Sequence, residues 1–157
     1  MRLVAFVLMA AVVAFVGPAR AAERVELTKN PKLLLKPEFR ATKITVHGIG
    51  LGDAEKSVPA DAIAAQSQEN GRGWFIMKEG FFLSTADGKV VAILFSVAAV
   101  EKWELGLKTA ADVRKAFGKP DETTVPAEHG GKIVEHFYRE RGLEVVVTET
   151  GIAIKLR

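Results

Sequence analysis

Short turns between strand-like segments constrain the fold of this chain more than any other feature. Asp87-Gly88 separates the apolar segments 81–86 and 89–97, and residues 149–151 separate two further segments near the C-terminus. Asp-Gly is a strong signal for a two-residue hairpin, because that turn needs positive φ at both central positions. Turns of this length join antiparallel neighbours. The pattern therefore predicts antiparallel sheet in both places.

An internal repeat relates the two halves of the chain. Glycines and apolar residues recur at an offset of 62 positions, namely Gly80 with Gly142, Val90 with Ile152, Ala92 with Ile154, and Leu94 with Leu156. A Gly-Leu pair at 50–51 matches another at 106–107, and a loop accommodates the smaller offset. Periods near 60 residues exceed those of common solenoids, so we interpret the repeat as a duplicated supersecondary unit.

Helix signals precede the strands of each copy. Thr109 and Asp112 form a capping-box pattern, Val113 and Phe117 share one helical face, and Gly118 supplies a stop. In the first copy a helix is predicted from residue 53, interrupted at residue 59 and restarted after it. We therefore predict an α+β fold. It consists of two copies of a helix followed by a three-stranded antiparallel meander, with the helices packed on one face of the sheet.

The N-terminal residues have the pattern of a secretory signal peptide. Arg2 precedes an unbroken apolar run at 3–16, and small residues follow at 19 and 21. The run is shorter than the roughly 20 residues of a membrane-spanning helix. We predict cleavage after Ala21 and a periplasmic or secreted protein. Without cysteine the chain cannot carry a lipid on a cysteine thiol, so we expect no stable membrane anchor after cleavage.

These patterns divide the chain into three parts. Residues 1–21 form the predicted signal peptide, and residues 22–42 form an N-terminal arm broken by prolines at 31 and 37. Residues 43–157 form a single α+β domain of two repeats, at about 43–97 and 104–157.

The second copy carries a family resemblance in three stretches, residues 106–113, the helix exit Phe117-Gly118-Lys119-Pro120, and the hairpin from 142 to 156. Together they resemble the small outer-membrane lipoprotein domain called SmpA/OmlA and the tandem-repeat β-lactamase inhibitor proteins. The resemblance implies the fold given above, export, and a role in protein binding. The chain departs from both groups, because it lacks the lipidated cysteine of the first and the disulfide cysteines of the second.

The composition and residue spacing argue against several kinds of functional site. A chain without cysteine has no disulfide, no thiolate metal ligand and no cysteine nucleophile. Of the histidines, His129 and His136 are seven residues apart, which is not a zinc-type spacing, and no serine lies in Gly-x-Ser-x-Gly. Removing two arginines with the signal peptide lowers the net charge from +3 to about +1, and no basic run remains for nucleic acid. We predict no enzymatic activity, no metal and no cofactor.

Strand alternation assigns two faces to each copy of the sheet. In the second copy, Phe137 is predicted on the helix-covered face, and His136 and Tyr138 on the opposite face. In the first copy the opposite face is strongly apolar, with Trp74, Ile76, Phe82, Ser84, Val91, Ile93 and Phe95. Leaving side chains of this size in water costs roughly 1.5–3 kcal/mol each. Something is therefore expected to cover this second face.

Three ways of covering this apolar face are consistent with the sequence. The first is the N-terminal arm, with Leu33 to Leu35 and Phe39 folded over the sheet. The second is the linker with Trp103, or a second copy of the chain. The third is a foreign partner or an apolar ligand. Cover from within the chain is favoured, because it involves no loss of translational freedom.

The function predicted from these features is that of an exported, non-catalytic protein-binding module, an inhibitor or assembly factor of the cell envelope or secreted fraction. Its partner is expected to be a protein of unknown identity. Large rigid side chains dominate protein interfaces, so the predicted contact residues are Trp74, Ile76, Phe82, Phe95, Trp103 and Tyr138. Two alternatives remain. One is a carrier of a small apolar ligand beneath the arm, and the other is a hydrolase using dispersed carboxylates and His136.

Overall fold

A computed structural model describes residues 23–127 and 130–157, so the predicted signal peptide and His129 lie outside the described residues. The strands are β1 (Val25–Glu26), β2 (Ile44–Val46), β3 (Ile49–Gly50), β4 (Ile63–Glu69), β5 (Arg72–Met77), β6 (Phe81–Ala86), β7 (Lys89–Phe95), β8 (Glu122–Thr124), β9 (Val134–Tyr138), β10 (Leu143–Thr148) and β11 (Gly151–Leu156). The α-helices are α1 (Val97–Lys102) and α2 (Ala110–Phe117).

Strands β4 to β11 form one eight-stranded antiparallel sheet in the order β4-β5-β6-β7-β11-β10-β9-β8. The sheet consists of two four-stranded meanders, which we call the first half (β4–β7) and the second half (β8–β11). They meet where β7 pairs with β11, with Phe95 opposite Ile154 and Ile93 opposite Leu156. The strand segments read from tight turns are confirmed, because each turn joins antiparallel neighbours.

The predicted fold of two helix-plus-meander repeats is wrong. The second half is preceded by a true helix, α2, whose capping box joins Thr109 and Asp112 as predicted. The corresponding segment of the first half forms only 3-10 turns at Glu55–Ser57 and Ala60–Ala62 before continuing into β4. Pro59 ends a stretch with little helical periodicity, so nothing extends those turns into a helix. The described chain is therefore mostly β, with two short helices.

The N-terminal residues form a second, three-stranded sheet in the order β1-β2-β3. Its β2–β3 hairpin turns at His47-Gly48, both at positive φ. The carboxylate of Glu26 accepts hydrogen bonds from the backbone N–H of His47 (2.9 Å) and of Gly48 (3.0 Å). It also accepts from the hydroxyls of Thr28 and Thr45. One carboxylate thus holds the turn and ties β1 to it.

One hydrophobic core lies on a single side of the large sheet, which we call the covered face. The arm contributes the buried residues Leu27, Leu34, Phe39 and Ala41 to this core. Arg141, at the β9–β10 turn, donates to the carbonyls of Leu34 and Lys36 and so holds the arm there. The favoured prediction, that the arm covers the second apolar face of the first half, is therefore wrong. The arm packs into the core instead.

The helices cover the same side of the sheet. Helix α1 packs on β11 and β7, and Gly151 permits this approach, since a Cβ there would lie 2.6 Å from Val97 Cγ1. Helix α2 lies near β9, with the rings of Phe117 and Tyr138 at 5.6 Å. No helix within residues 23–127 and 130–157 is long and apolar enough to cross a membrane.

The predicted faces are wrong for residues of two strands, β9 and β7. In β9 the covered face takes His136 and Tyr138, which are buried, while Phe137 lies on the other side. The register fixes this, because Tyr138 pairs with the core residue Leu143. In β7 an irregularity opposite Ser84 and Thr85 shifts the alternation by one residue. Ile93 and Phe95 therefore enter the core, and Leu94 leaves it.

Candidate functional site

The side of the large sheet turned away from the core, the outer face, is apolar in the first half. Trp74, Ile76 and Val91 are 51%, 44% and 43% exposed. Ile76 of β5 pairs with Phe82 of β6, which pairs with Leu94 of β7. Both of these neighbours are partly buried. We call these five side chains the apolar patch. Single exposed apolar residues are ordinary, but a contiguous group on one face is typical of interaction surfaces.

Strand β4 borders the apolar patch and leaves the sheet with an open edge. It is seven residues long, and every residue after Ile63 is exposed. It contains neither lysine nor proline, the residues with which sheets commonly protect an edge. Ser67 lies opposite Trp74, and Ala65 opposite Ile76, so small side chains separate the open edge from the patch.

The β4–β5 turn decides which backbone groups face the open edge. Asn70 and Gly71 both have positive φ, at 49° and 73°, as a two-residue hairpin turn of this hand requires. The residues flanking such a turn form a hydrogen-bonded pair, and pairs alternate from there along the ladder. Glu69 and Ser67 thus bond to β5. The N–H and C=O groups of Gln66 and Gln68 point away from β5, where an added strand would bind them.

The structure brings together three of the six predicted contact residues. Trp74, Ile76 and Phe82 lie in the apolar patch. Phe95 does not, since it is 1% exposed and packs in the core.

Trp103 and Tyr138 also lie apart from the patch. Trp103 is partly buried against Phe95, with ring centroids 4.6 Å apart. Tyr138 is buried, and its hydroxyl donates to the carbonyl of Gly118 at 3.3 Å. Burial raises the pKa of this phenol.

Sequence reasoning missed two parts of this surface. Strand alternation does not place Leu94 among the outer-face residues, because the shift in β7 leaves no mark in that pattern. Strand β4 was not predicted, since its polar and alanine residues have low strand propensity. The Asn70-Gly71 dipeptide was the signal that could have found it.

The outer face of the second half has a different chemistry. Glu144 is 4% exposed, and its Oε2 lies 3.3 Å from Lys155 Nζ and 3.2 Å from an Arg157 guanidinium nitrogen. The Arg157 guanidinium also lies over the ring of Phe137, 4.4 Å from its centroid. None of these contacts to Oε2 has hydrogen-bond alignment, so they are ion pairs. The charges of Glu144, Lys155 and Arg157 therefore compensate one another.

A second feature is a cleft of about 750 Å³ between α2 and strands β8 and β9, with His136 at its base. The imidazole Nδ1 lies 3.0 Å from the Thr123 hydroxyl, and Nε2 is buried without a hydrogen-bond partner among the described residues. Burial, and then the charge of Arg114, lower the pKa of His136. The imidazole is therefore neutral at pH 7, and the cleft can bind or position a polar ligand.

Residues 23–127 and 130–157 contain no group of three or more histidine, aspartate or glutamate side chains placed to hold a metal ion. Comparisons with protein families, with curated proteins and with solved structures find no match to this chain. Any functional assignment therefore depends on the geometry of its own surfaces.

Proposed function

We propose that the protein is an exported, non-catalytic protein-binding module that acts in the periplasm or the secreted fraction. The observation that supports this proposal is the coincidence of the apolar patch with the open edge of β4. Exposed apolar patches and open sheet edges are each typical of binding surfaces. Here the two are adjacent, so a partner can form backbone hydrogen bonds and apolar contacts together.

The partner presents an extended segment that adds to the sheet as a strand beside β4. Its backbone bonds to the outward N–H and C=O groups of Gln66 and Gln68, which gives affinity with little dependence on sequence. The partner continues over the outer face onto Trp74 and Ile76, which give specificity, because exposed aromatic side chains dominate such contacts. Binding of this kind serves either inhibition of an exported enzyme or assistance to an assembling envelope protein.

The test compares partner capture by three forms of the purified chain. They are the wild type, a Trp74→Ser/Ile76→Ser double variant, and Val125→Ser, whose valine is 53% exposed but lies outside the patch. Immobilised protein is exposed to the periplasmic and secreted fractions of its source, and the captured species is then titrated in pure form. We expect the double variant to bind at least about 30-fold more weakly, a loss typical of an interface hot spot. Val125→Ser should bind as the wild type does.

The mode of binding has its own pair of variants. Gln66→Pro removes an outward N–H without removing a bond to β5, and Gln66→Ala keeps that N–H. Weaker binding for the proline variant alone would support strand addition. Equal binding by all the variants, or no stoichiometric partner for the wild type, would contradict the proposal.

A further inference from the structure

The cleft beside α2 is a second candidate site, on the covered side of the sheet and independent of the apolar patch. Its base is His136, which is 6% exposed and has a buried Nε2 without a partner among the described residues. Native proteins rarely leave such an atom unpaired unless it serves a ligand, a water molecule or a reaction. Because His136 also lines the open cleft, a ligand bound there is a candidate partner for this atom.

The charges that line the cleft favour an anion. Arg114 lies on the face of α2 that forms one wall, and Lys119 follows the end of that helix. Neither has an ion-pair partner within residues 23–127 and 130–157. Of the two acids at the rim, Glu122 is paired with a cation, whereas Asp121 accepts a hydrogen bond and keeps its negative charge. Asp121 accepts from the backbone N–H of Arg139 at 2.7 Å, and Glu122 pairs with the Arg139 guanidinium at 2.6 Å.

The neutral imidazole suits the same kind of ligand. When the Thr123 hydroxyl donates to Nδ1, the proton of His136 is on Nε2, and the unpaired atom is a donor. A negatively charged oxygen stabilises this tautomer. Nε2 is shielded from solvent, so a ligand oxygen meets it after a small movement of the side chains above it.

We propose that the cleft binds a small monocarboxylate with an apolar body. The carboxylate pairs with the guanidinium fork of Arg114 and accepts from His136 Nε2, with Lys119 adding positive charge. The walls at Ala110, Pro120 and Val134 take the apolar part. The remaining charge of Asp121 at the rim disfavours a dianion such as phosphate, and a volume near 750 Å³ suits a small organic molecule.

The test titrates the purified protein with octanoate as the probe. The neutral control is octanamide, and inorganic phosphate is the dianionic control. Calorimetry gives the affinities, and nuclear magnetic resonance reports the imidazole signals of His136. We expect saturable binding of octanoate with a shift at His136, and at least about tenfold weaker binding of both controls, since one charge-assisted hydrogen bond accounts for that factor.

Single-residue variants test whether octanoate binds in this cleft. Arg114→Gln should weaken octanoate binding at least about tenfold, and Lys119→Gln by a smaller factor. Arg72→Gln, at an exposed arginine of the β4–β5 hairpin, should leave binding unchanged. The proposal is overturned by no saturable binding of octanoate, by equal binding of octanamide or phosphate, or by an Arg114 variant that binds as the wild type does. None of these outcomes depends on the protein-binding function, which the patch variants test separately.

Discussion

The two halves of the large sheet have the same strand connectivity but opposite outer faces. In the first half, Trp74, Ile76 and Val91 are exposed with apolar neighbours. In the second half, Glu144, Lys155 and Arg157 form a charged group over the equivalent strands. The two surfaces touch where Leu94 pairs with Lys155. The same strand connectivity therefore supports one outer face whose charges compensate one another and one whose apolar side chains remain exposed to solvent.

The largest expected effect contrasts the core with the apolar patch. Ile154→Ala removes a fully buried side chain at the junction of the halves, and we expect a loss of about 2–5 kcal/mol in the free energy of unfolding. Ile76→Ala removes the same atoms from a residue that is 44% exposed, and its loss should stay below about 1 kcal/mol. Urea denaturation measures both. Equal losses would mean that the apolar patch stabilises the fold as much as the core does, which would contradict its role as a free surface.

A smaller effect is expected for the charged group of the second half. Glu144→Gln leaves two cations without their partner, and we expect a loss of about 1–2 kcal/mol, since both cations remain partly exposed. Glu149→Gln is the matched control. Its pair with Lys132 is exposed, and the change should be near zero. The loss at Glu144 should shrink in high salt, and denaturation with and without 1 M sodium chloride tests this. A salt-independent loss would contradict the ion-pair account.

The smallest effect concerns Glu26, which bonds to the turn of the β2–β3 hairpin. That hairpin packs on the first half through the stacked rings of His47 and Phe81. Burial raises the pKa of Glu26, but hydrogen bonds from Gly48, Thr28 and His47 outweigh it and lower the pKa overall. The ionised carboxylate therefore stabilises the folded state at pH values above the ordinary glutamate pKa of about 4.3. This contribution is lost as the pH falls through the lowered pKa of the folded state.

Unfolding measured from pH 7 down to pH 3 tests this prediction. At pH 7 we expect Glu26→Gln to cost about 1 kcal/mol, and the difference from the wild type should fade in acid. Unlike the effect at Glu144, it should change little with salt, because neutral N–H and hydroxyl groups supply the bonds. A difference that persisted unchanged at pH 3 would show that the charge on the carboxylate plays no part.

The prediction of the candidate site from the sequence was only partly successful, for identifiable physical reasons. Trp74 and Ile76 were assigned to the outer face because strict alternation holds along β5. Phe95 was assigned there too, and it is a core residue because one irregularity in β7 reverses its side. Tyr138 and His136 were assigned to the outer face because both sides of β9 carry apolar side chains. The pairing of β9 with β10 determines which side is buried.

The local features of this protein can be predicted from its amino-acid sequence. The turns at Asp87-Gly88 and 149–151, the capping box at Thr109, and the segments of β6 and β10 all follow from interactions between near neighbours in the chain. The remaining features depend on contacts between distant parts of the chain. Which side of a strand is buried depends on pairing register, and the place of the arm depends on the distant carbonyl contacts of Arg141. Such contacts join residues about a hundred positions apart, and no local pattern records them.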